Sequence, residues 1–491
     1  MAIDWTIFQE IYHILLIVIV FLNLLAALTI VFYERRSPQI AAAWILLLLF
    51  LPVLGFVVYV FFGRHLYGKY KYGKKTEADN QFEQISSYQI EQLKTSDLKL
   101  TDAGKNFEST IALLLNQDHA AYSTNNAVDV YIHGEQKFKE MENLIRGAKH
   151  HVHMEYYIIR DDPLGRRIMK ALTEKAAEGV VVRVLFDAVG VHKIGPDFYK
   201  DLKNAGGKVY IQFPLLVPFI NTRINYRNHR KILVVDGATG LIGGFNIGEE
   251  YLGKGPLGYW RDTHLKICGG AVASLQKRFI KDWNFAAEKD AIKDDSRYYP
   301  QEITKPIGET AVQIVSSGPD SENAAIYSGF LSLIGRAKKS IYIQTPYFIP
   351  DQSIFEALRI AILSGIDVRI EIPCKADMPF VYWASFSYLG DLIRLGAKGY
   401  TYSHGFIHSK TAVIDGEAAT IGTANWDIRS FKLNFETNAF IYNKEFGQKM
   451  NEIILDELES DCTQITAEIY NSRPFSVKIK EGFFRLISPL L

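Results

Sequence analysis

Cysteine is scarce in this sequence. The 491 residues include three, Cys268, Cys374 and Cys462, widely separated and without a CxxC pair. That spacing suggests neither a zinc site nor a disulfide framework, and buried thiols in a reducing compartment are expected. Net charge is also nearly absent, because 55 Lys and Arg face 54 Asp and Glu, leaving +1. A nucleic-acid-binding surface usually shows a broad basic excess, so no nucleic-acid partner is expected. Charge is missing altogether from two long runs, Ile11–Tyr33 and Ile40–Phe62. No Lys or Arg precedes Arg35, which is unlike the basic start of a secretory leader.

Each uncharged run is long enough to cross a ~30 Å hydrocarbon core at ~1.5 Å per residue. The turn Glu34-Arg-Arg-Ser-Pro-Gln39 lies between them. Residues 1–66 are therefore expected to form a two-helix transmembrane hairpin in the cell membrane, a multi-pass anchor. The turn carries Arg35 and Arg36, while Arg64, Lys69, Lys71, Lys74 and Lys75 follow the second run. The larger basic group places the bulk of the chain in the cytoplasm. Residues 67–125 read as a linker and a docking helix, with the apolar patch Ile111-Ala-Leu-Leu-Leu115.

The remainder repeats itself at an offset of about 190 residues, too long a period for a solenoid. Gly179-Val-Val-Val-Arg183 matches Gly365-Ile-Asp-Val-Arg369, and Gly206-Gly-Lys208 matches Gly396-Ala-Lys398. Two domains follow, 126–305 and 306–491. Within the first, strand patterns at Val128–Ile132, Val152–Ile159 and Val181–Phe186 alternate with helical ones at Phe138–Ile145 and Arg166–Ala177. This β-α-β-α-β order implies an α/β fold with helices on both faces of a sheet.

Each half then carries the same constellation. His229-Arg-Lys231-Ile-Leu-Val-Val-Asp236 precedes Gly243-Gly-Phe-Asn246, and His408-Ser-Lys410-Thr-Ala-Val-Ile-Asp415 precedes Gly422-Thr-Ala-Asn425. On a strand, residues i and i+2 share a face, which sets each His beside its Lys. A turn at Asp236-Gly237 or Asp415-Gly416 would bring the Asn back alongside. A pseudo-twofold pairing of the halves would put both histidines in one cleft. Such a site suits phosphoryl transfer: one imidazole attacks phosphorus and the other moves the proton. Lys231, Lys410, Asn246 and Asn425 would hold the phosphoryl oxygens as charge shifts. No carboxylate cluster for a metal is evident, so neither metal nor cofactor is expected. His151, His153, His264 and His404 stand outside the pattern and read as structural or solvated.

The duplicated HxKx4D motif resembles the phospholipase D superfamily. The resemblance implies two phospholipase D-like αβα sandwich domains related by pseudo-twofold symmetry. It further implies that Asp236 and Asp415 brace the motif loops and that each imidazole has an acidic partner. Glu436 fits that role in the second half, and Asp262, in Trp260-Arg-Asp262, is the candidate in the first.

Three features point to a lipid substrate: the apolar hairpin, the apolar stretches Phe213–Ile220 and Pro379–Phe386 near the motifs, and the basic, bulky C-terminal segment Arg473–Leu491. The chain is moreover similar to the two-motif bacterial cardiolipin synthases. The matching residues include Glu34–Pro38, Phe50–Phe56, Phe61–Arg64, Glu155-Tyr-Tyr157, Arg227–Lys231, Gly243–Ile247 with Tyr251, Tyr342–Asp351 and Leu486–Leu491. Gly244 replaces a small hydroxyl residue common in the wider superfamily. The resemblance implies that two phosphatidylglycerols in the membrane become cardiolipin and glycerol, with His229 as nucleophile and His408 as acid and base. A phospholipase D that hydrolyses membrane phospholipids is the alternative; a nuclease and a non-catalytic lipid-binding scaffold fit the anchored, charge-balanced chain and the paired motifs less well. The sequence leaves the oligomeric state open.

Overall fold

The computed structural model describes residues 5–33, 38–60, 77–214, 226–293, 296–300, 307–321 and 323–488. The chain divides into two compact units, the N-terminal helices and a large unit spanning Lys71–Pro214 and Arg227–Ser488.

The first unit begins with α1, Trp5–Phe32. Of this, Tyr12–Phe32 is long and apolar enough to cross a membrane. The second apolar run, expected as one spanning helix, is instead split into α2, Pro38–Phe50, and α3, Pro52–Val58. Proline has no N–H to offer Leu48 four residues back, which ends the helix there. The Asn23 side chain of α1 fills the gap, donating from Nδ2 to Leu48 O (3.2 Å) and Pro52 O (3.0 Å). After the break the chain doubles back. The Tyr59 ring lies 5.6 Å from that of Trp44, and a Cβ on Gly55 would stand 2.5 Å from Leu47 O. A continuous helix would hold Trp44 and Tyr59 more than ~20 Å apart at 1.5 Å per residue.

In the large unit each half builds a mixed sheet. His151–Tyr156, Val181–Asp187 and Lys208–Gln212 are parallel, and the motif strand Lys231–Val235 runs antiparallel to His151–Tyr156. The second half repeats this with Ser340–Gln344, Asp367–Pro373, Lys398–Tyr402 and Thr411–Ile414. The motif strands bury both faces. Leu233 and Val235 pack with Phe138, Met141 and Ile168 of the helices Gly134–Gly147 and Pro163–Ala177. Ile232 and Val234 pack with Val272 and Leu275 of the helix Val272–Ala286. Ser123–Tyr131 pairs antiparallel with Thr310–Ser317, so that, among the described residues, sixteen strands from both halves form one sheet. The helix Glu108–Asp118 buries Ile111, Leu114 and Leu115 against Phe330 and Leu333, in the core of the second half.

Buried arginines join the halves. Arg230, fully buried, donates to Asp282 Oδ2 (2.8 Å), and across the junction to Thr437 Oγ1 (2.9 Å) and Ser317 O (3.2 Å). Arg261 donates to Glu457 Oε2 (2.7 Å) of the second half. Removing one partner of a buried ion pair costs about 3–5 kcal/mol. Arg230→Met is therefore expected to lower the unfolding temperature of the purified protein clearly, whereas the exposed Arg166→Met leaves it unchanged.

Candidate active site

The histidines sit just before their motif strands rather than on them. The short strand Arg227–Asn228 ends at His229, and Gly405–Ile407 ends at His408. Each short strand pairs in parallel with the opposite half: Arg227–Asn228 with Asn434–Phe435, and Gly405–Ile407 with Tyr259–Arg261. The pairing continues through the histidine amides, His229 N donating to Phe435 O (3.0 Å) and His408 N to Arg261 O (2.7 Å). In both cases the next residue on the partner strand is the acid.

Each carboxylate therefore serves the histidine of the other half. His229 Nδ1 lies 3.0 Å from Glu436 Oε2 and 3.1 Å from Oε1. His408 Nδ1 lies 2.6 Å from Asp262 Oδ2. An ionised carboxylate only accepts, so it fixes the proton on Nδ1. Nε2 of each ring is then the nitrogen that keeps its lone pair. Each carboxylate is itself supported: Asn434 Nδ2 donates to Glu436 Oε1 (3.1 Å), and Thr263 N to Asp262 Oδ1 (2.7 Å).

Burial dominates the electrostatics. It pushes Asp262 up to about 6, against the pull of Lys410. Burial acts in the same direction on Glu436, but the adjoining His229, followed by Lys231, outweighs it and holds that carboxyl below its ordinary value. Burial lowers His229, with Glu436 opposing, and lowers His408 well below its usual range, assisted by Lys410, Lys231 and His229. Lys231 falls to about 7 and Lys410 to about 8, again through burial first. Lys231 Nζ donates to His229 O (2.7 Å), and Lys410 Nζ donates to His408 O. Asn246 and Asn425 are buried, and their Oδ1 atoms have no hydrogen-bond partner. Their Nδ2 atoms donate to Tyr251 Oη (3.2 Å) and Asp427 Oδ2 (3.3 Å), and Lys231 and Lys410 set positive charge beside the histidines.

Asp236 and Asp415 lie at the far ends of the motif strands, away from the histidines, and each accepts from three backbone amides. Asp236 takes Lys149 N, His150 N and His151 N (2.8–2.9 Å), and Asp415 takes Lys338 N, Lys339 N and Ser340 N (2.7–2.9 Å). Both adopt positive φ (53° and 56°) in the tight turns after the motif strands. They brace the loops and touch no reacting group.

Several site residues lie outside the repeated His, Lys, Asp and Asn pattern. Tyr251, fully buried, places its hydroxyl 3.1 Å from His408 Nδ1 and accepts from Asn246 Nδ2 (3.2 Å). Trp260 and Phe406 flank His408 at 5.3 and 6.1 Å between ring centroids, and Tyr157 meets His229 edge-on at 5.1 Å. Proximity to Asp262 and Glu155 in the sequence is the signal that could have found Trp260 and Tyr157. Glu155 accepts from Asn228 Nδ2, and Asp187 from Asn228 N (2.8 Å), fixing the strand that ends at His229. His151 and His153 bond to Gln276 (2.9 and 2.8 Å), His264 is buried, and the exposed His404 faces Asp461. Of Phe213–Ile220, residues 215–220 lie outside the described residues; Phe213 stacks on Phe435 at 5.4 Å.

Gly244 has a steric explanation. A Cβ there would stand 2.0 Å from Asp262 Oδ1. Gly244→Ala should dislodge the carboxylate from His408 and lower kcat by about 100-fold, the scale of a 1 Å misplacement, with the melting curve preserved. Only the ionised Asp262 is a pure acceptor that holds the proton on His408 Nδ1; once protonated it is also a donor, and the tautomer is no longer fixed. Activity should therefore fall as pH drops through about 6, and a pH–rate profile of the native protein checks this.

Comparison with known proteins accords with this geometry. The family model described as "Cardiolipin synthase, PLD-like domain" matches residues 141–283 and 330–457, and "Phospholipase_D-nuclease N-terminal" matches residues 21–64. The major cardiolipin synthase ClsA of Bacillus subtilis (strain 168) is 46% identical over 485 residues, covering 98% of this chain and 100% of that one. The cardiolipin synthase of Listeria innocua serovar 6a is 46% identical over 479 residues, 97% of this chain and 99% of its own. Among solved structures, phosphatidylserine synthase of Haemophilus influenzae Rd KW20 aligns with a TM-score of 0.61 at 17% identity, over 80% of this chain and 100% of that one, a likeness of fold. By sequence, motif and fold together, the chain belongs to the cardiolipin synthase family of proteins with phospholipase D-like domains.

Proposed function

We propose that the site transfers a phosphatidyl group from one phosphatidylglycerol to another, forming cardiolipin and releasing glycerol. The observation that carries this reading is the crossed pair of His–carboxylate contacts, which leaves two Nε2 atoms for one phosphodiester. His229 Nε2 attacks phosphorus as the bond to the glycerol oxygen breaks, and His408 gives its Nε2 proton to that oxygen. The terminal hydroxyl of the second lipid then attacks the phosphatidyl-histidine, its proton passes to His408, and the nitrogen–phosphorus bond breaks. The bond broken and the bond made are alike, so no nucleotide is required. A phosphodiester anion among Lys231, Lys410 and the imidazoles adds the negative charge that favours a protonated His408. Glu436 and Asp262 keep both rings oriented throughout.

Arg35 and Arg36 lie between α1 and α2, and Arg64, Lys69, Lys71, Lys74 and Lys75 follow α3. Two full spans would put these basic groups on opposite sides of the membrane. With α1 as a span and α2–α3 as a hairpin that re-enters from one face, both groups share a side. That side is the cytoplasm by the positive-inside bias. The fold-back at Pro52 supports this arrangement, which sets the catalytic unit in the cytoplasm and the start of α1 outside.

Two experiments test these readings. Purified protein given labelled phosphatidylglycerol, without nucleotide, should yield cardiolipin and glycerol on thin-layer chromatography, and His229→Ala and His408→Ala should each lose at least ~10³-fold. Phosphatidic acid as the sole product would mean hydrolysis instead. For topology, Glu10→Cys on intact cells should react with a membrane-impermeant maleimide while Glu135→Cys does not. Protection of both would restore two full spans.

A further inference from the structure

The C-terminal helix Phe475–Ile487 presents two unlike faces. One is docked on the helix Pro379–Arg394: Arg485 pairs with Asp391 and lies over the Tyr388 ring at 4.4 Å, while Tyr388 Oη and Ser488 Oγ are 3.2 Å apart. Glu481, nearly buried, is held by Arg473 (2.6 Å). The other face is bare. Phe475, Ile479, Phe483 and Leu486 are 77, 55, 57 and 76% exposed. At ~100° per residue these four fall within about 80° of the helix circumference. Lys478 and Lys480, both exposed, stand on either side of that stripe. The helix's only acid, Glu481, is on the docked face.

We propose that this helix lies in the surface of an anionic phospholipid bilayer and seats the catalytic unit on it. The inference rests on the lipid-substrate reading above and adds where the unit meets its substrate. Large apolar side chains flanked by lysines, on a helix of ~20 Å at 1.5 Å per residue, suit the interface between headgroups and acyl chains; the ~30 Å core is too thick for such a helix to cross. Lys478 Nζ donates to Asn471 O (3.1 Å) and Lys480 Nζ stands 5.6 Å from the Trp383 ring; on a bilayer both flexible stems turn their charges to the phosphates. Charge complementarity favours this occupant over a second copy of the chain, which would present the same lysines. The chain also carries a membrane-length apolar helix, α1, so a bilayer is at hand.

The docked face leads toward the active site. Phe484 joins one apolar cluster with Phe380, Val381, Ala384 and Tyr388 of the supporting helix, and with Tyr347 and Ile349. Phe348 N bonds to Ser385 Oγ (3.0 Å). Tyr347 also lines a small crevice of about 10 Å³ with Lys375, Asp377, Tyr382 and Phe406, and the Phe406 ring is 6.1 Å from that of His408. The supporting helix thus links the bilayer-facing helix, through Tyr347 and Phe406, to the surroundings of His408.

The test uses the full chain reconstituted in phosphatidylcholine vesicles containing phosphatidylglycerol. Emission from Phe483→Trp, measured against native protein, should fall at least twofold when the lipids carry brominated acyl chains. An unchanged signal overturns the proposal, as it would if a second copy covered this face. The triple variant Phe475→Ser, Ile479→Ser, Phe483→Ser should turn over vesicle phosphatidylglycerol at least tenfold more slowly. It should still process a monomeric short-chain phosphatidylglycerol within twofold of native. Native rates on both substrates, or equal losses on both, also overturn it. If the native protein makes no cardiolipin yet the bromolipid quenching persists, the substrate reading fails and the membrane seat stands.

Discussion

Two short parallel bridges between the halves hold the site together. Arg227–Asn228 beside Asn434–Phe435, and Gly405–Ile407 beside Tyr259–Arg261, bring each histidine amide onto the carbonyl that precedes the other half's acid. Backbone geometry thereby decides which carboxylate meets which imidazole. Neither half holds a complete site alone. The shared sheet and the buried Arg230 and Arg261 keep the bridges in register, so the stability of the junction and the geometry of the chemistry are one requirement.

The bridges place an unusual density of ionisable groups away from water. Burial depresses both histidines and both lysines and raises Asp262, while ion pairing keeps Glu436 low. Asp262, Lys231 and Lys410 are thereby brought to about 6, 7 and 8, close to neutrality, where one added charge changes their protonation. The asymmetry is built in sterically. Gly244 leaves room for the short Asp262 carboxylate, whereas Thr423 occupies the matching position beside Glu436. Tyr251 adds a phenol to the His408 side.

Much of this was legible in the sequence. The motif strands and their turns follow from the short apolar runs Ile232–Val235 and Ala412–Ile414 and the Asp-Gly pairs that end them, and His229, Lys231, Asn246 and their counterparts could be grouped from spacing alone. The crossing of Asp262 and Glu436 could not, because pairing between distant segments leaves no local period. The continuous sheet was hidden for the same reason. The fold-back at Pro52 was obscured by composition: uniformly apolar residues on either side of a proline read as one run, and the compensating donor, Asn23, lies in another helix. Tyr251 stands among the residues shared with the synthases but has no counterpart in the repeat, and only the fold brings it to His408. The C-terminal segment showed its mix of basic and apolar residues, but the division into a docked and a bare face needed the packing.

The central claim is that each half's acid works through the other half's histidine. A phosphatidyl ester with a nitrophenol leaving group, which departs without a proton, separates the two roles under rapid quenching. The account predicts that Asp262→Asn, by disabling His408, accumulates a labelled phosphatidyl adduct on the peptide containing His229, and that Glu436→Gln forms little of it. Accumulation in Glu436→Gln and not in Asp262→Asn, or an adduct on His408, would contradict it.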